Sequence, residues 1–376
     1  MKDVVEFCET ERAWLLDTIH ALVRLESPSD DKAAVDRCGA ELERRLAAIG
    51  GRVERLAQPK RGVHLRAEFG TGDRQVLILG HFDTVWPVGQ LERMPLVERD
   101  GRLHGPGVFD MKSGIAIAML AARALGEHAA ASGLKLVMLW TTDEEVGSGT
   151  SRQAIEHDAR RSEAVLVLEP SLPGGAAKTS RKGCGQFELV VHGIPAHAGL
   201  DPGKGASAIV ELAYQVLDIA AIQDLSRGIS TNVGVVAGGT RGNVVAAEAR
   251  ATIDVRVPAM ADVAHVEGAL RALRPRLKGT RLELTGGVDR PPLERTEGVI
   301  RLYQQAKEVA AQLGHALGEG GAGGGSDGNF TAALGVPTLD GLGPCGDGAH
   351  ALHEHVVVAD LTWRAALVCG LIARLE

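Results

Sequence analysis

The stretch LKLVMLWTTDEEVGSG, residues 134–149, decides the fold, because it joins an almost entirely apolar run to three adjacent acids. A short apolar run of this kind is typical of a strand that is buried on both faces. The runs VLILG (76–80) and AVLVL (164–168) have the same character, and apolar residues recur at helical spacing over residues 31–49. Apolar strands that alternate with helices predict an α/β fold whose mostly parallel central sheet is covered by helices.

Polar side chains stand directly after each of these three strands, where ligands gather in parallel sheets. They are His81 and Asp83 after the first strand, Asp143, Glu144 and Glu145 after the second, and Glu169 after the third. Adjacent carboxylates repel one another unless a divalent cation lies among them. These residues therefore indicate a metal site, although each group taken alone also fits a polar strand end or a solvated turn.

Two further motifs carry candidate ligands. GPGVFDMKSG (105–114) surrounds Asp110 with glycine and proline, and it lacks the ending of a phosphate-binding loop. Taken alone, this motif could be a plain surface turn. GDGAHALHEHV (346–356) offers the histidines His350, His353 and His355. Three histidines beside glycines suggest metal binding, although any single one of them is more often a surface residue.

The middle of the chain has a different pattern. In AAEARATIDVRV (246–257) small or apolar residues alternate strictly with polar ones, which predicts a strand with one wet face in an antiparallel sheet. Similar strands are expected at 187–193 and 231–239, and helices near 206–221 and 262–277. These features predict an α+β domain inserted into the catalytic domain. The expected boundaries are 1–181 and 290–376 for the catalytic domain and 182–289 for the insert, with a tight loop at 318–328.

Composition excludes several classes of protein. The 376 residues carry a net charge of −7 and only 3% aromatic residues, which argues against nucleic-acid binding. No apolar run approaches the roughly 20 residues of a membrane span, and the charged N-terminal stretch has no signal-peptide core. The five cysteines are scattered without a CxxC pair, which predicts reduced thiols. We therefore expect a cytoplasmic protein without nucleic-acid or membrane partners.

Together these motifs, in order and over nearly the whole chain, resemble the dizinc aminoacylase/carboxypeptidase family of metallopeptidases, and most of all its glutamate carboxypeptidase branch. The resemblance implies two Zn²⁺ ions, with Co²⁺ or Mn²⁺ as possible substitutes. The implied ligands are His81 and Glu169 on one ion, Glu145 and His350 on the other, and Asp110 bridging both. His350 is preferred to His353 because the family pattern has an acid four residues after the ligand, here Glu354.

The resemblance also assigns residues around the ions. Glu144 matches the general base, and Asp83 matches the partner of the His81 ring. The peptide bond between Asp110 and Met111 is expected to be cis.

The inserted domain resembles the dimerisation (lid) domain of the same family. VHGIPAHAGLDPGKGASAI (191–209) places His197 where the family reaches into the active site of the partner subunit. Asn243 and Arg256, with Arg290 as a further candidate, match residues that hold the substrate carboxylate or the oxyanion. GGGSDGNF (323–330) resembles the substrate loop and supplies Gly325 and Ser326. Arg256 could instead be a surface ion-pair partner, and His197 a residue at a helix N-terminus.

The expected activity is the release of a C-terminal, glutamate-like amino acid from N-acyl amino acids or short peptides. Water between the two zinc ions would be activated by Glu144. The alternatives are an aminoacylase or dipeptidase with another side-chain preference, and a non-catalytic binding protein on the same fold.

Overall fold

The three apolar runs lie side by side in one six-stranded sheet of the computed structural model, which describes residues 1–126 and 133–375. In spatial order the strands are β1 (Arg52–Leu56), β2 (His64–Phe69), β6 (Leu134–Thr141), β3 (Arg74–His81), β7 (Ala164–Val167) and β14 (Thr338–Leu339). Strands β6, β3, β7 and β14 run parallel, whereas β1 and β2 pair antiparallel. The predicted α/β fold with a mostly parallel central sheet is therefore confirmed.

Burial on both faces explains why these strands are apolar throughout. Along β3, Val76 and Ile78 join one hydrophobic cluster, and Leu77 and Leu79 join another. All four side chains are fully buried. Each contributes about 1.5–3 kcal/mol relative to an exposed position, so a polar residue here would be costly.

Helices cover the sheet, and the sequence marks where one of them begins. The stretch 31–49 forms the helix Lys32–Ala48, which Asp31 caps by accepting a hydrogen bond from the backbone N–H of Ala34 at 3.0 Å. The helices are α1 (Lys2–Thr10), α2 (Arg12–Arg24), α3 (Lys32–Ala48), α4 (Gln90–Arg93), α5 (Ser113–Leu125), α6 (Arg152–Ala159), α7 (Ala208–Ala220), α8 (Met260–Arg271), α9 (Glu297–Gln312), α10 (Gly328–Ala333) and α11 (Leu361–Arg374). None of these described helices is long and apolar enough to cross a membrane.

Two small sheets complete the catalytic part of the chain. The first has the order β15 (Gly346–Asp347), β16 (His355–Val357), β5 (Arg102–His104) and β4 (Val97–Arg99), and the second pairs β13 (Glu319–Ala322) with β8 (Ala177–Arg181). The tight loop expected at 318–328 is therefore partly wrong, since β13 lies within it. Gly321 allows this pairing, because a Cβ atom there would meet the Ser180 hydroxyl at 2.7 Å.

The alternating segment belongs to a separate antiparallel sheet, as expected. Its order is β10 (Ser230–Gly238), β11 (Glu248–Val257), β9 (Gly183–His192) and β12 (Arg281–Arg290). Along β11 the small or apolar residues are buried under α7 and α8, and the polar residues occupy the other face. The second helix ends at Arg271 rather than near 277, because Pro275 disfavours helical backbone before it.

The chain divides into two compact units. Unit 1 comprises Met1–Ser180, Arg295–Ala322 and Ser326–Glu376, and unit 2 comprises Arg181–Glu294 and Gly323–Gly325. The expected insert was 182–289, and strand β12 runs to Arg290 at the edge of that range.

Candidate active site

The carboxyl ends of three adjacent strands in unit 1 bring the candidate ligands together. His81 is the last residue of β3, and Glu169 lies two residues beyond β7. Glu145 follows β6 in a short 3-10 turn, Glu144–Val146. Because these strands are parallel neighbours, residues far apart in sequence meet at one edge of the sheet.

His81 belongs to the first of two candidate ligand groups. Its Nε2 atom lies 3.3 Å from Asp110 Oδ1 and 3.4 Å from Glu169 Oε1. The His81 side chain is 1% exposed, so the group lies at the base of the site.

The second group contains Asp110, Glu145 and His350. His350 Nε2 lies 3.4 Å from Asp110 Oδ2 and 3.2 Å from Glu145 Oε2. Asp110 therefore turns one carboxylate oxygen towards each group. His350 has a left-handed backbone with φ of 60°, uncommon for a residue other than glycine, and its side chain is 52% exposed.

The geometry of both groups fits a metal ion. Two ligand atoms about 2.0–2.1 Å from a tetrahedral ion are separated by about 3.3 Å, close to the distances across both groups. His81 Nε2, Asp110 Oδ1 and Glu145 Oε1 are buried and make no hydrogen bond. Buried polar atoms are rarely left without a partner, and a cation would supply one here. Nitrogen and carboxylate oxygen together are the donor set that zinc accepts.

The ligands also perturb one another electrostatically. Burial lowers the pKa of His81, but its contacts with Asp110 and neighbouring carboxylates raise this pKa well above the usual value. Contacts with Asp110 and Glu145 raise the pKa of His350 to about 10. Burial raises the pKa of Glu145. Without metal, the carboxylates therefore favour the protonated form of both histidines.

The loop that carries Asp110 has an unusual backbone. Val108–Lys112 forms a turn of π type that leads directly into α5. The peptide bond between Asp110 and Met111 is cis, so this prediction is confirmed.

Glu354 holds the Asp110 loop in place, a role that the sequence reasoning missed. Its buried carboxylate accepts hydrogen bonds from Trp86 Nε1 and from the backbone N–H groups of Gly107, Phe109 and Asp110, at 2.8–3.1 Å. Burial raises the pKa of Glu354 to about 7, and these hydrogen bonds oppose that shift. The signal was the acid four residues after His350, but its four donors are distant in sequence.

Asp83 lies behind His81. The Nδ1 atom of His81 is 3.0 Å from the Asp83 carbonyl oxygen and 3.4 Å from its carboxylate Oδ1. The other carboxylate oxygen accepts hydrogen bonds from the Ser29 hydroxyl at 2.7 Å and the Glu145 backbone N–H at 3.3 Å. Asp83 thus fixes the His81 ring and the position of Glu145 together.

The three adjacent acids have separate surroundings. Asp143 is buried, and its Oδ2 atom accepts hydrogen bonds from the Thr150 backbone N–H at 2.6 Å and the Thr150 hydroxyl at 2.8 Å. Glu145 faces His350, and Glu144 lies between these two acids, half-buried in the same turn. Only Glu145 of the three belongs to a ligand group.

The other two histidines of the 346–356 motif lie outside the ligand groups. His353 is exposed, with its Nε2 atom 3.9 Å from Asp347. His355 is buried in β16, where its ring lies 5.2 Å from that of His104. The geometry favours His350 among the three.

His197 and Asn243, both in unit 2, lie on neighbouring segments. The backbone N–H of Ala198 donates to the Asn243 carbonyl at 3.0 Å, and His197 forms a β-bridge with Val244. The exposed His197 ring accepts hydrogen bonds at Nδ1 from the backbone N–H groups of Gly199 and Leu200, at 3.1 Å each. Because Nδ1 is an acceptor, Nε2 carries the ring proton and is a donor.

Arg256, Arg290 and Gly325 form a second cluster in unit 2, around Cys184. Both arginines pair in register with Cys184 on β9. Arg256 makes a two-point ion pair with Asp254 at 2.9 and 2.8 Å and also contacts Cys184 Sγ at 2.7 Å. A Cβ atom on Gly325 would meet the Arg290 side chain at 2.5 Å, so a larger residue there would require this arginine to shift.

These two groups lie at opposite ends of the unit 2 sheet. Strand β9 runs from the arginine cluster at Cys184 to His192, and the His197 segment follows it. Eight residues of strand span about 27 Å. Asn243 and Arg256, both predicted to hold the substrate carboxylate or the oxyanion, therefore lie far apart within one chain.

Ser326 lies in unit 1 and is buried. Its hydroxyl donates to Asp340 at 2.6 Å, and its backbone N–H donates to Asn329 at 3.0 Å. The Ser326 hydroxyl also accepts a hydrogen bond from the Gly328 backbone N–H at 3.2 Å, so the side chain stabilises the start of α10 rather than facing solvent.

This fold and its two ligand groups define a metal-dependent hydrolase. Residues 77–374 match the model of peptidase family M20/M25/M40, and the chain belongs to this family of metallopeptidases.

The chain is similar to relatives of several specificities. It is 28% identical to carboxypeptidase G2 of Pseudomonas sp. (strain RS-16), covering 96% of this chain and 89% of that protein. It is 30% identical to a succinyl-diaminopimelate desuccinylase of Xanthomonas oryzae pv. oryzae (strain MAFF 311018), covering 90% and 93%. The fold matches the crystal structure of aminopeptidase PepT from Bacillus cereus ATCC 10987 with a TM-score of 0.78 at 23% identity, covering 96% and 98%.

Proposed function

We propose that this metallopeptidase releases a C-terminal, glutamate-like amino acid from N-acyl amino acids or short peptides, using two zinc ions. The observation that carries the proposal is Asp110, whose two oxygens each face a separate ligand group at 3.3–3.4 Å. His81 and Glu169 would complete the first ion site, and Glu145 and His350 the second. When bound, the two ions supply Lewis-acid chemistry and lower the pKa of water.

Glu144 is the proposed general base. It lies next to the proposed ligand Glu145 in the same short turn, is half-buried, and belongs to neither ligand group. Glu144 takes a proton from the water that attacks the carbonyl carbon. As the C–N bond breaks, it delivers that proton to the leaving amine.

His197 and the arginine cluster are proposed to recognise the substrate. The Nε2–H group of His197 is suited to donate a hydrogen bond to the developing oxyanion. Arg256 and Arg290 offer guanidinium groups for the free carboxylate, and Arg256 would exchange part of its pairing with Asp254 for the substrate.

The separation of these groups supports a homodimer. Since about 27 Å of strand divides them, one small substrate could contact both only if they came from different chains. Unit 2 also presents exposed apolar residues on α7 and on the edge strand β10, namely Val210, Tyr214, Leu217, Val235 and Val236, which are 37–66% exposed. An unpaired edge beside an apolar helix face is suited to self-association about a two-fold axis.

The second candidate is an aminoacylase, dipeptidase or desuccinylase of the same family, which the identity to the desuccinylase favours. Within this second candidate, exposed apolar side chains close in sequence to the site residues support a substrate with an apolar acyl group rather than a succinyl group. Val85, two residues after Asp83, and Val146, next to Glu145, are 42% and 49% exposed, and Leu352, two residues after His350, is 64% exposed.

A matched substrate panel tests the proposal. The zinc-loaded protein would be given N-benzoylglutamate, N-benzoylleucine, N-succinyl-diaminopimelate and a dipeptide, each with and without a chelator. We expect N-benzoylglutamate to have the highest kcat/KM and the chelator to abolish its turnover. Preference for the succinyl substrate would replace the proposal with the desuccinylase, and chelator-resistant turnover would contradict a metal-dependent reaction.

A further inference from the structure

Arg364 is a fully buried arginine of α11 that none of the roles above uses. Its guanidinium donates three hydrogen bonds, all of them to backbone carbonyls. The Nε atom donates to Gly343 at 2.8 Å, Nη1 donates to Gly175 at 2.9 Å, and Nη2 donates to Gly341. Guanidinium nitrogens are only donors and carbonyl oxygens are only acceptors, so the chemistry of the groups fixes the direction of each bond.

This buried cation has no ion-pair partner in the part of the chain that the structure describes. Moving a charge out of water is costly unless it is paired or fully hydrogen-bonded. Replacing a buried charge with an apolar residue of similar volume often stabilises a fold. Stability alone therefore explains Arg364 poorly, and the carbonyls that it binds indicate another role.

Two of these carbonyls lie in the segment 341–344, which flanks the candidate ligand Glu169. The segment follows β14 and continues beside the end of β7. The backbone N–H of Leu342 donates to the Val167 carbonyl at 3.2 Å, and that of Gly343 donates to the Glu169 carbonyl at 2.9 Å. The segment thus holds the backbone of Glu169 through a bond between main-chain atoms.

Gly343 approaches Glu169 closely because it has no side chain. A Cβ atom on Gly343 would meet the Leu168 carbonyl oxygen at 2.1 Å and the Glu169 carbonyl oxygen at 2.6 Å. The segment therefore has no side chain at this point with which to anchor itself elsewhere. Arg364 provides the anchor, because its Nε atom binds the carbonyl of this same glycine.

We propose that Arg364 is a positioning residue for the metal ligand Glu169. It holds the carbonyl of Gly343, and the N–H of Gly343 holds the carbonyl of Glu169. This support keeps Glu169 Oε1 at 3.4 Å from His81 Nε2, the spacing of the first ligand group. The inference rests on the proposed function for the zinc ion that Glu169 binds.

Zinc affinities of double variants test this role. Glu145→Ala removes a ligand of the second group alone, and Glu169→Ala removes a ligand of the first group alone, so each background retains one ion. We expect Arg364→Met to weaken zinc binding about 10- to 100-fold in the Glu145→Ala background and by less than about twofold in the Glu169→Ala background. Equal weakening in both backgrounds would indicate a general loss of structure, and it would overturn the proposal, as would unchanged affinity in both.

The matched control is Arg374→Met, the same substitution near the end of the same helix. Arg374 forms an ion pair with Glu308 and binds none of the carbonyls that Arg364 holds. Its zinc affinity should equal that of the wild type in both backgrounds. A loss of affinity in this control as large as in Arg364→Met would contradict a specific role for Arg364.

Hydrogen exchange in the wild-type protein tests the same link without any variant. Coupling between two sites is reciprocal, so zinc that fixes Glu169 should also stabilise the bond from Gly343. We expect zinc to slow exchange of the Gly343 amide about tenfold or more. Equal exchange rates with and without zinc would overturn the proposal, even if every Arg364 variant failed to fold.

The proposed function and this inference fail separately. If the wild-type protein binds two zinc ions but cleaves no N-acyl glutamate, the proposed function is wrong. The zinc affinities and the Gly343 exchange rates still decide the role of Arg364 in that case, because neither measurement depends on turnover.

Discussion

The ligand groups of unit 1 and the substrate residues of unit 2 are built in opposite ways. In unit 1, five candidate ligands from distant parts of the sequence converge until their ligand atoms lie 3.2–3.4 Å apart. In unit 2, His197 with Asn243 and Arg256 with Arg290 lie at opposite ends of one sheet, about 27 Å apart.

This difference shows what each region requires for its proposed role. The unit 1 residues already lie at the spacing that a metal ion requires, because the sheet and Glu354 hold them in place. The unit 2 residues form no single site within their own unit among the described residues. Their proposed roles therefore depend on assembly, whereas metal binding should not.

The largest effect is expected from replacing the residue that both ligand groups share. Asp110→Ala removes the only side chain common to both ligand groups. Both zinc ions should be lost together, and activity should fall to background. Glu354 bonds the backbone of Asp110, so the loop should persist.

Metal analysis after gel filtration measures the result, and thermal unfolding compared with chelated wild type controls for folding. One tightly bound ion in Asp110→Ala would contradict the shared carboxylate.

The next prediction separates proton transfer from metal binding. Glu144→Ala removes the base without removing a ligand, so both zinc ions should remain while kcat falls about 10²- to 10⁴-fold. Glu145→Ala, one residue further, is the matched control and should lose one ion. Metal loss with retained turnover in Glu144→Ala would reverse the roles of the two neighbours.

A smaller effect is expected when a substitution in unit 1 and a substitution in unit 2 lie on different chains of a dimer. His197→Ala and Glu144→Ala should each be inactive alone. In a fully exchanged equal mixture about half the dimers are mixed, and each has one intact site, so roughly a quarter of wild-type activity should return.

Co-expression with two affinity tags isolates the mixed dimers for this assay. Inactive mixed dimers would show that His197 does not complete the partner's site. A monomer in solution would contradict the homodimer itself.

The smallest effect concerns protons in the unit 1 site. Contacts with carboxylates raise the pKa of His350 to about 10, so this ring is protonated near pH 8 without metal, and they raise the pKa of His81 well above its usual value. A ring that holds a proton must lose it to bind zinc, so His350 should release about one proton per protein and His81 should add to this release.

The direction of these pKa shifts also determines how zinc affinity depends on pH. The bound proton stabilises the metal-free protein below the unfolded pKa, and this contribution is lost as pH rises through about 10 for His350. Zinc affinity should therefore increase with pH over this window. Calorimetry in buffers of different ionisation enthalpy measures the release, and His350→Gln should lower it by about one proton. Release that does not change in His350→Gln would exclude this histidine as a ligand.

The sequence by itself determined the elements and the candidate ligands. Apolar runs such as VLILG marked strands covered on both faces, and strict alternation in 246–257 marked a strand with one wet face, because each pattern follows from the local geometry of a strand. His81, Asp110, Glu145, Glu169 and His350 were recognisable because their motifs are local.

Only the tertiary structure decided which residues meet. Glu354 acts through hydrogen bonds to partners distant in sequence, which no local pattern records. The tertiary structure also separated Asn243 from Arg256, since strand register, and not spacing in the chain, sets the distance across a sheet. Spacing along a chain constrains only neighbours, and a site depends on contacts that form when the sheets and loops pack.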